Sequence, residues 1–380
     1  MKYCFTVLKN LSCDTLFSKF LLWREKDDKK TFYDFLNCLY EKNAQDDFSA
    51  YVADKILYDE NAFSVACAKS EKISPFLSQA FLQDLTEIYE IVNATATKGA
   101  FAVGNQLRER DYTVETLKKF YRQYGYGDFV RYRAFTFENG GLRPVKSHSP
   151  IRLSDLKNYE DEKKIVAQNI EHFLEGLPYS NTLLYGERGT GKSSTVHAML
   201  NEYYKDGLRL VELSKENMLS LNRLKEFLKN VPLKFIVYID DLSLNAGDER
   251  ISSLKAALEG CSEGNTENAM IVATSNRRHI IDEKFSQRND SVHARDSIQE
   301  ELSLSDRFGL SVLFSSTNKE EYLSIVNQLA RDKNLDVPQN ELELLAERWA
   351  IVKGGRSPRR AKQFVDVAYS LHSKGLPIDF

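Results

Sequence analysis

The 380-residue sequence has no long hydrophobic run, which argues against a membrane-spanning helix. Its longest stretches without a charged residue, for example residues 73–83, fall well short of the roughly 18 apolar residues that a span needs. The apolar run after Met1 is interrupted by Lys9 and Asp14, too early for the core of a secretory signal. We therefore expect a cytoplasmic protein without a membrane partner.

Cysteine, glycine and proline are also sparse. The five cysteines are odd in number and none lies in a Cys-x-x-Cys pair, so neither a disulfide framework nor a zinc site is predicted. The net charge of -3 and the balance of charges in both halves are not typical of a basic nucleic-acid arm. With 18 Gly, 8 Pro and 42% hydrophobic residues, the composition indicates a globular protein of two or three domains.

Glycine is absent from residues 1–98, where apolar residues recur at helical spacing. We predict a mostly α-helical N-terminal domain over residues 1–145. Near its end, the turn Asn139-Gly140-Gly141 indicates a hairpin of two short strands, residues 132–137 and 142–145.

Beyond Pro150 the pattern changes to short apolar runs alternating with helical segments. This pattern predicts βα units and an α/β fold with a doubly wound, mainly parallel sheet. The predicted strands are residues 182–185, 208–213, 235–239, 270–274 and 310–314. The chain then becomes helical, and Thr317 with Glu320 is predicted to form a capping box. We assign residues 146–316 to an α/β core and residues 317–380 to a helical lid.

The segment Gly186-Glu187-Arg188-Gly189-Thr190-Gly191-Lys192-Ser193 matches the phosphate-binding pattern G-x-x-x-x-G-K-[ST] between a predicted strand and a predicted helix. In such a loop, backbone N–H groups and the helix N-terminus face the anion. We expect Lys192 to reach the β- and γ-phosphates, Ser193 to ligate Mg²⁺, and Ser194 to lie in the same site. ATP and Mg²⁺ are the predicted cofactors, and a glycine-rich turn that binds nothing is the alternative.

Two carboxylates follow the strand predicted at residues 235–239. We expect Asp240 to hold Mg²⁺ and Asp241 to act as general base on the attacking water. Asn276 follows the next central strand, where its amide can contact both the γ-phosphate and that water. The alternative for all three residues is an ordinary polar turn at the end of a core strand.

In this order, the phosphate loop, the paired acids, Asn276 and the helical lid resemble an AAA+ ATPase module over residues 150–380. Arg307 lies in Leu304-Ser305-Asp306-Arg307-Phe308-Gly309, which resembles the arginine-finger segment of that superfamily. The resemblance implies that Arg307 acts in trans on a neighbouring subunit, and hence a homo-oligomer. A local salt bridge with Asp306 or Glu301 is the alternative.

The segment Gly355-Arg356-Ser357-Pro358-Arg359-Arg360 resembles the start of the sensor-2 helix. The resemblance implies that Arg359 bends over the phosphates, and Arg356 and Arg360 are close enough to take this role instead. A solvent-exposed basic helix start is the alternative. Leu156 and Tyr159 are candidates for the adenine pocket, with core packing as the other interpretation.

Four segments together are similar to the bacterial predicted AAA+ ATPases grouped as domain of unknown function 815. They are residues 185–194, 240–243, 273–279 and 302–310. The similarity extends over most of the chain, and a double Asp is usual in that group. The similarity implies an ATPase that hydrolyses Mg-ATP. It does not identify the macromolecule on which this ATPase acts.

Several uses of ATP are consistent with the sequence. Polypeptide threading is disfavoured, because residues 214–230 contain no Gly and only Phe227 as an aromatic, unlike a pore loop. Similarity to initiator and helicase-loader ATPases suggests remodelling of DNA or a DNA-bound complex. Residues 106–133 interleave basic and aromatic side chains that could contact phosphates and bases, and an ordinary solvated helix is the alternative there.

The competing function is an ATP-switched protein-binding or scaffolding module with slow turnover, whose N-terminal helices hold a protein partner. A small-molecule kinase is a third possibility. Arg307 and Arg359, in the segments described above, argue against it.

Overall fold

The computed structural model describes residues 3–93, 113–245, 248–259, 268–276, 281–282, 304 and 306–378. Within these ranges the chain divides into two compact units. The first comprises the described residues up to Arg133 with the short segments 205–207 and 231–233, and the second comprises the remainder. None of the helices in the described ranges is long and apolar enough to cross a membrane.

The first unit is helical, as the spacing of its apolar residues predicts. Its described helices are α1 (Thr15–Lys26), α2 (Lys29–Glu41), α3 (Phe48–Leu57), α4 (Ala62–Ala68), α5 (Pro75–Asn93), α6 (Val114–Tyr124) and α7 (Asp128–Arg131), preceded by a 3₁₀ turn at Lys9–Cys13. Carboxylates cap the first three helices: Asp14, Asp28 and Asp47 each accept a backbone N–H from the first turn.

The core of this unit is rich in aromatic side chains. Phe20 and Phe48 are fully buried, with ring centroids 4.8 Å apart. The buried carboxylate of Asp84 in α5 accepts hydrogen bonds from the backbone N–H groups of residues 6–8. This carboxylate therefore fixes the chain segment that precedes α1.

Four of the five cysteines lie in the described part of the chain, and all four are free thiols. Cys38 and Cys67 are buried, whereas Cys4 and Cys13 are exposed. Burial raises the pKa of the Cys67 thiol to about 11, so this thiol stays protonated at neutral pH. Cys261 lies outside the described residues.

The second unit is organised around a seven-stranded sheet. The strands are β1 (Ala134–Glu138), β2 (Gly141–Pro144), β3 (Thr182–Gly186), β4 (Leu208–Glu212), β5 (Lys234–Ile239), β7 (Ala269–Ser275) and β9 (Leu310–Phe314). They lie in the order β2-β1-β4-β5-β7-β3-β9, and every neighbouring pair is parallel except β1 and β2. Two short strands, β6 (Leu244–Asn245) and β8 (Ile281–Asp282), form a separate parallel pair. The predicted α/β fold with a mainly parallel sheet is confirmed.

Helices pack against this sheet and follow its strands along the chain. Those that precede residue 317, where the predicted lid begins, are α8 (Glu160–Glu175), α9 (Lys192–Tyr203), α10 (Leu221–Lys229) and α11 (Glu249–Glu259), with 3₁₀ turns at Leu153–Asp155, Tyr204–Asp206 and Lys215–Ser220. Val166 and Phe173 of α8 and Met199 of α9 are buried in one cluster with strand residues such as Leu184 and Ile236. This packing holds α8 and α9 against the strands that carry the site.

The hairpin β1–β2 lies in the second unit, although the sequence pattern placed it in the N-terminal domain ending at residue 145. Its strand β1 pairs in parallel with β4, with Phe135 opposite Val211. The hairpin therefore extends the sheet, and the division between the units falls before Ala134. A pairing between segments this far apart in sequence leaves no local pattern. The boundaries of the core and lid at residues 316 and 317 stay a prediction.

Three helices complete the second unit and have a hydrophobic core of their own. They are α12 (Lys319–Asp332), α13 (Gln339–Val352) and α14 (Pro358–His372). Tyr322 and Phe364 are fully buried there, and the Tyr322 hydroxyl donates to the carbonyl of Ala346 at 3.1 Å. Ser357 caps α14 by accepting the N–H of Arg360.

The capping box predicted at Thr317 and Glu320 was wrong by one residue. Asn318 caps α12 by accepting the N–H of Glu321, and the Glu321 carboxylate accepts the N–H of Asn318. Thr317 is instead buried and hydrogen-bonded to the Tyr159 hydroxyl, a distant contact that local sequence cannot reveal.

Candidate functional site

The phosphate-binding pattern lies between β3 and α9. Its first position, residue 186, has no room for any side chain larger than that of glycine. Gly186 has a φ of +131°, and a Cβ there would lie 2.0 Å from the carbonyl oxygen of Phe314 at the end of β9. The next N–H, that of Glu187, donates to the same carbonyl at 3.3 Å. Further along, the buried Thr190 donates its hydroxyl to the Glu187 carbonyl at 2.9 Å. The start of the loop is thus fixed to the neighbouring strand and the loop closes on itself.

Lys192, the first residue of α9, is buried and points back over the loop. Its Nζ donates to the carbonyl oxygens of Gly186 at 2.9 Å and Glu187 at 2.7 Å. Burial lowers the pKa of this ammonium, and the nearby charges of Asp240 and Asp241 act in the opposite direction. The cation is held where an anion in the loop can pair with it.

Two oxygens suited to Mg²⁺ meet beside the loop. The Ser193 hydroxyl donates to Asp240 Oδ1 at 2.8 Å. Adjacent oxygen ligands in an octahedral shell with bonds of about 2.0–2.1 Å lie roughly 2.9 Å apart, so this pair fits the ion. Among the described residues no group of three or more His, Cys, Asp or Glu could hold a metal ion.

Asp240 is surrounded by hydroxyl donors. Besides Ser193, Tyr238 and Thr274 donate to its Oδ1, both at 2.6 Å. Burial by itself would raise the pKa of Asp240, but the hydrogen bonds, led by that from Thr274, outweigh it and the pKa lies below its ordinary value. Burial also raises the pKa of Tyr238 well above its ordinary value, so its hydroxyl remains a donor. Asp240 is therefore ionised at neutral pH.

Asp241 has a left-handed backbone conformation, with a φ of +50°, and its contacts differ from those of Asp240. Its N–H donates to the Thr274 hydroxyl at 2.9 Å. Asn276 donates through Nδ2 to one carboxylate oxygen at 2.5 Å, and the Lys215 ammonium lies 3.8 Å from the other. The predicted general base and the predicted strand-end amide are therefore in direct contact.

The phosphate loop also contacts the start of α14. The N–H of Arg359 donates to the Gly189 carbonyl at 3.1 Å. Gly189 has a φ of +80°, and a Cβ there would lie 3.1 Å from Ser357 Oγ and 3.3 Å from Arg359 Cβ. Arg356, in contrast, forms a two-point ion pair with Glu347, with N···O distances of 3.0 and 2.7 Å. Of the three arginines, Arg359 is the one whose side chain lines the phosphate cavity.

Two neighbouring cavities surround these groups. A cavity of about 320 Å³ is lined by Arg188, Gly189, Gly191, Lys192, Ser193, Ser194, Asp240, Asp241, Thr274, Ser275, Asn276 and Arg359. A second, of about 490 Å³, lies between α8, the loop and the lid and shares Gly189, Gly191, Ser194 and Arg359 with the first. Leu156 and Tyr159 line the second cavity, with Ile325 and Leu329 from α12. Together the cavities offer a charged end and a partly apolar end, which suits a nucleotide.

Arg307 is partly exposed and is not among the residues that line these two cavities. Asp306 is exposed, and Glu301 lies outside the described residues. A role for Arg307 in trans stays a prediction.

The basic and aromatic segment predicted around residues 106–133 is described from Thr113 onwards. In α6 the aromatic Tyr121 is fully buried, and its hydroxyl donates to the Ile56 carbonyl at 3.0 Å. Lys119 and Arg122 are exposed. Residues 106–112, with Arg108 and Arg110, lie outside the described ranges, as do Arg277, Arg278 and His279 after β7.

Sequence reasoning did not identify three residues of the site: Tyr238, Thr274 and Lys215. Tyr238 precedes Asp240 by two residues, so the alternation of a strand places both side chains on one face, and this signal was available. Thr274 follows Ala273, which lies opposite Ile239 in the sheet, so it reaches Asp240 only through the strand register. Lys215 comes from the 3₁₀ turn after β4, which no local pattern connects to Asp241.

Comparison with protein families gives a match over most of the second unit. The family model described as Protein of unknown function (DUF815) matches residues 130–371. This range contains every candidate residue of the site described above.

Comparison with curated proteins gives a chaperone, an AAA-ATPase and replication factor C large subunits as relatives. A probable mitochondrial chaperone BCS1-A of Dictyostelium discoideum is 28% identical over 163 residues, 40% of this chain and 37% of that protein. The replication factor C large subunit of Staphylothermus marinus is 40% identical over 71 residues, 18% of this chain and 16% of that protein. An AAA-ATPase of Arabidopsis thaliana is 33% identical over 114 residues, 28% of this chain and 23% of that protein. The chain thus spans less than half the length of these relatives.

Solved structures with a partial likeness include two DNA-related proteins. The Thermotoga maritima RuvB Holliday junction branch migration motor aligns with a TM-score of 0.42 and 16% identity, covering 60% of this chain and 67% of that one. The Aeropyrum pernix ORC1 protein in complex with DNA aligns with a TM-score of 0.43 and 15% identity, covering 59% of this chain and 62% of that one.

Proposed function

The chain belongs to the DUF815 family, and we propose that it is an AAA+ ATPase that binds and hydrolyses Mg-ATP. The observation that carries this proposal is the convergence of Ser193 and Asp240, 2.8 Å apart, beside the phosphate loop and next to Asp241 and Asn276. A relative described as an AAA-ATPase supports it. Binding residues and a candidate base thus occur in one cavity.

Each residue has a role that its position supports. The loop N–H groups and Lys192 bind the β- and γ-phosphates, and Ser193 and Asp240 hold Mg²⁺. When bound, Mg²⁺ would offset the negative charge on the phosphate oxygens as the bond between the γ-phosphorus and the β–γ bridging oxygen breaks and ADP leaves. Asp241 accepts a proton from water as the water oxygen attacks the γ-phosphorus, and Asn276 orients this carboxylate. Arg359 contacts the phosphates from the lid.

Arg307 completes the site of a neighbouring subunit in this proposal. Its position in Leu304-Ser305-Asp306-Arg307-Phe308-Gly309, the segment that resembles an arginine-finger segment, supports a role across an interface between copies. A guanidinium beside the departing γ-phosphoryl group stabilises the charge that develops there. The protein therefore works as a homo-oligomer whose turnover depends on its concentration.

We further propose that hydrolysis drives a change in DNA or in a DNA-bound complex. The short but well-matched segments shared with replication factor C large subunits support this use. The alternative, an ATP-switched scaffold with slow turnover, is consistent with a different observation. Asn276 donates to one carboxylate oxygen of Asp241 and the Lys215 ammonium lies 3.8 Å from the other, so two neighbouring groups already contact the candidate base.

ATP turnover measured across a range of protein concentrations, with and without single-stranded and duplex DNA, separates these functions. Specific activity that rises with concentration and again with DNA supports the remodelling function. Concentration dependence without any DNA effect supports the scaffold. An ATP turnover rate that is proportional to protein concentration, with no oligomer formed when ATP is added, contradicts a site shared between two subunits.

A further inference from the structure

Tyr159 has an unusual backbone conformation at the edge of the second cavity. It precedes α8 with a φ of +61°, and the residue before it, Asn158, has a φ of +74°. A bulky side chain rarely adopts this left-handed conformation, which persists only where surrounding contacts enforce it. The contacts of Tyr159 should therefore show what the strained conformation achieves.

The side chain of Tyr159 reaches the link between the sheet and the lid. This link is residues 315–318, between β9 and α12. The Tyr159 hydroxyl donates to the Ser315 carbonyl at 2.6 Å and lies 3.2 Å from the Thr317 hydroxyl. Its ring packs against Phe314, with centroids 5.1 Å apart, and the residue is only 7% exposed. One side chain thus contacts the last residue of β9 and two residues of the link.

The same residue lines the partly apolar end of the nucleotide cavity. Leu156 also lines this cavity, and Ile325 and Leu329 of α12 line it from the lid. Phe314, against which the ring packs, also accepts the N–H of Glu187 at the start of the phosphate loop. Tyr159 is therefore the point at which the base end of the cavity, the link and the strand next to the loop meet.

We propose that Tyr159 is a positioning residue that couples occupation of the base end of the cavity to the position of the lid. A base packed against Leu156 and Tyr159 restrains the ring, and the hydroxyl transmits this restraint to residues 315–318 and so to α12. A phosphate chain without a base engages the loop and Arg359 and does not use this route. The inference rests on the proposed nucleotide site. It adds to that site a residue, Tyr159, through which a bound base affects the position of the lid.

The test is hydrogen–deuterium exchange of α12 and α9 in the full chain with ADP or with inorganic tripolyphosphate. In the wild type, ADP should slow exchange in α9 and α12. In Tyr159→Phe, which keeps the ring, we expect ADP to protect α9 as before and to lose at least about half of its effect on α12. Tripolyphosphate should act equally on both proteins.

Tyr322→Phe is the matched control, because it also removes a buried hydroxyl from a carbonyl, in this case that of Ala346 within the lid. It should respond to ADP as the wild type does. Thr317→Val removes the other hydroxyl of the contact and should reproduce part of the Tyr159→Phe effect, which keeps the test open should Tyr159→Phe fail to fold.

Three results are distinguishable. Full protection of α12 by ADP in Tyr159→Phe overturns the coupling role, and so does an equal loss with tripolyphosphate, since that indicates a general weakening of the lid. Absence of any ADP effect on α9 in the wild type instead overturns the nucleotide site itself.

Discussion

The backbone N–H of Arg359 donates a hydrogen bond to the carbonyl of Gly189, 3.1 Å away in the middle of the phosphate loop. This bond fixes the start of the last lid helix against the loop, and the Arg359 side chain then lines both parts of the nucleotide cavity. A lid helix attached at this point cannot move without changing the surroundings of the phosphates.

Arg359→Ala should weaken ATP binding more than ADP binding. The guanidinium is expected to contact the γ-phosphate, and loss of one hydrogen bond to a charged group corresponds to roughly a 10- to 100-fold change in affinity. Titration of the variant with each nucleotide measures the ratio. Arg356→Ala is the control, because Arg356 is paired with Glu347 in the lid. A larger loss of ATP affinity in Arg356→Ala than in Arg359→Ala would show that Arg359 is not the arginine with the sensor role.

Arg307→Ala should retain ATP binding and lose hydrolysis, on the order of 10³-fold for an arginine finger. Asp241→Asn should also be inactive, because it removes the base and keeps Arg307. In a 1:1 mixture, about a quarter of the interfaces combine an intact Asp241 site with an intact Arg307 from the next subunit, and activity should return. A mixture as inactive as its components would rule out action in trans.

Thr274→Val should impair the metal site while preserving the shape of the side chain. It removes the donor to Asp240 Oδ1 and the acceptor for the Asp241 N–H. Loss of such a supporting contact typically costs 10- to 100-fold in metal affinity or activity, so the Mg²⁺ needed for half-maximal turnover should rise by about that factor. Thr182→Val is the control, because it removes a buried hydroxyl at the first residue of β3, at the end of that strand away from the phosphate loop. Equal effects of the two substitutions would reduce Thr274 to a structural role.

Glu212→Gln should increase stability at neutral pH. Glu212 lies at the end of β4 in a third cavity of about 280 Å³. Burial raises the pKa of its carboxyl above the ordinary 4.5, the charge of Asp240 acts in the same direction, and His148 opposes them. A carboxyl with a raised folded-state pKa contributes stability below the unfolded pKa and loses it as the pH rises through the folded pKa.

The melting temperature of Glu212→Gln should therefore exceed that of the wild type at pH 7.5, and the difference should shrink as the pH falls towards 4.5. Thermal unfolding at several pH values measures this trend. The same substitution at the exposed Glu202 controls for removal of one surface charge. A difference that grows towards low pH would contradict the sign.

Much of this arrangement could be predicted because it is local in sequence. The phosphate loop is contiguous, and the predicted core strands agree with those observed to within about one residue at each end. Asp240 and Asp241 follow one predicted core strand and Asn276 follows the next, and in the structure Asn276 contacts Asp241 directly.

The remainder depends on contacts between distant segments. The pairing of β1 with β4, which places the hairpin in the sheet, has no signature in either segment. Lys215 reaches Asp241 from a turn, and Tyr159 reaches Thr317 across more than 150 residues of sequence. The register of β5 and β7, which brings Thr274 to Asp240, is set by the whole sheet.

The central claim, a Mg-ATP site at the phosphate loop, is tested most directly by equilibrium binding of Mg-ATP to the wild type and to Lys192→Ala. The wild type should bind tightly, and Lys192→Ala should bind at least about 100-fold more weakly while melting as a folded protein, because it removes the cation that faces the phosphates. Lys229→Ala, at an exposed position at the end of α10, should bind as the wild type does. Near-wild-type affinity in Lys192→Ala, or no binding by the wild type, would contradict the account.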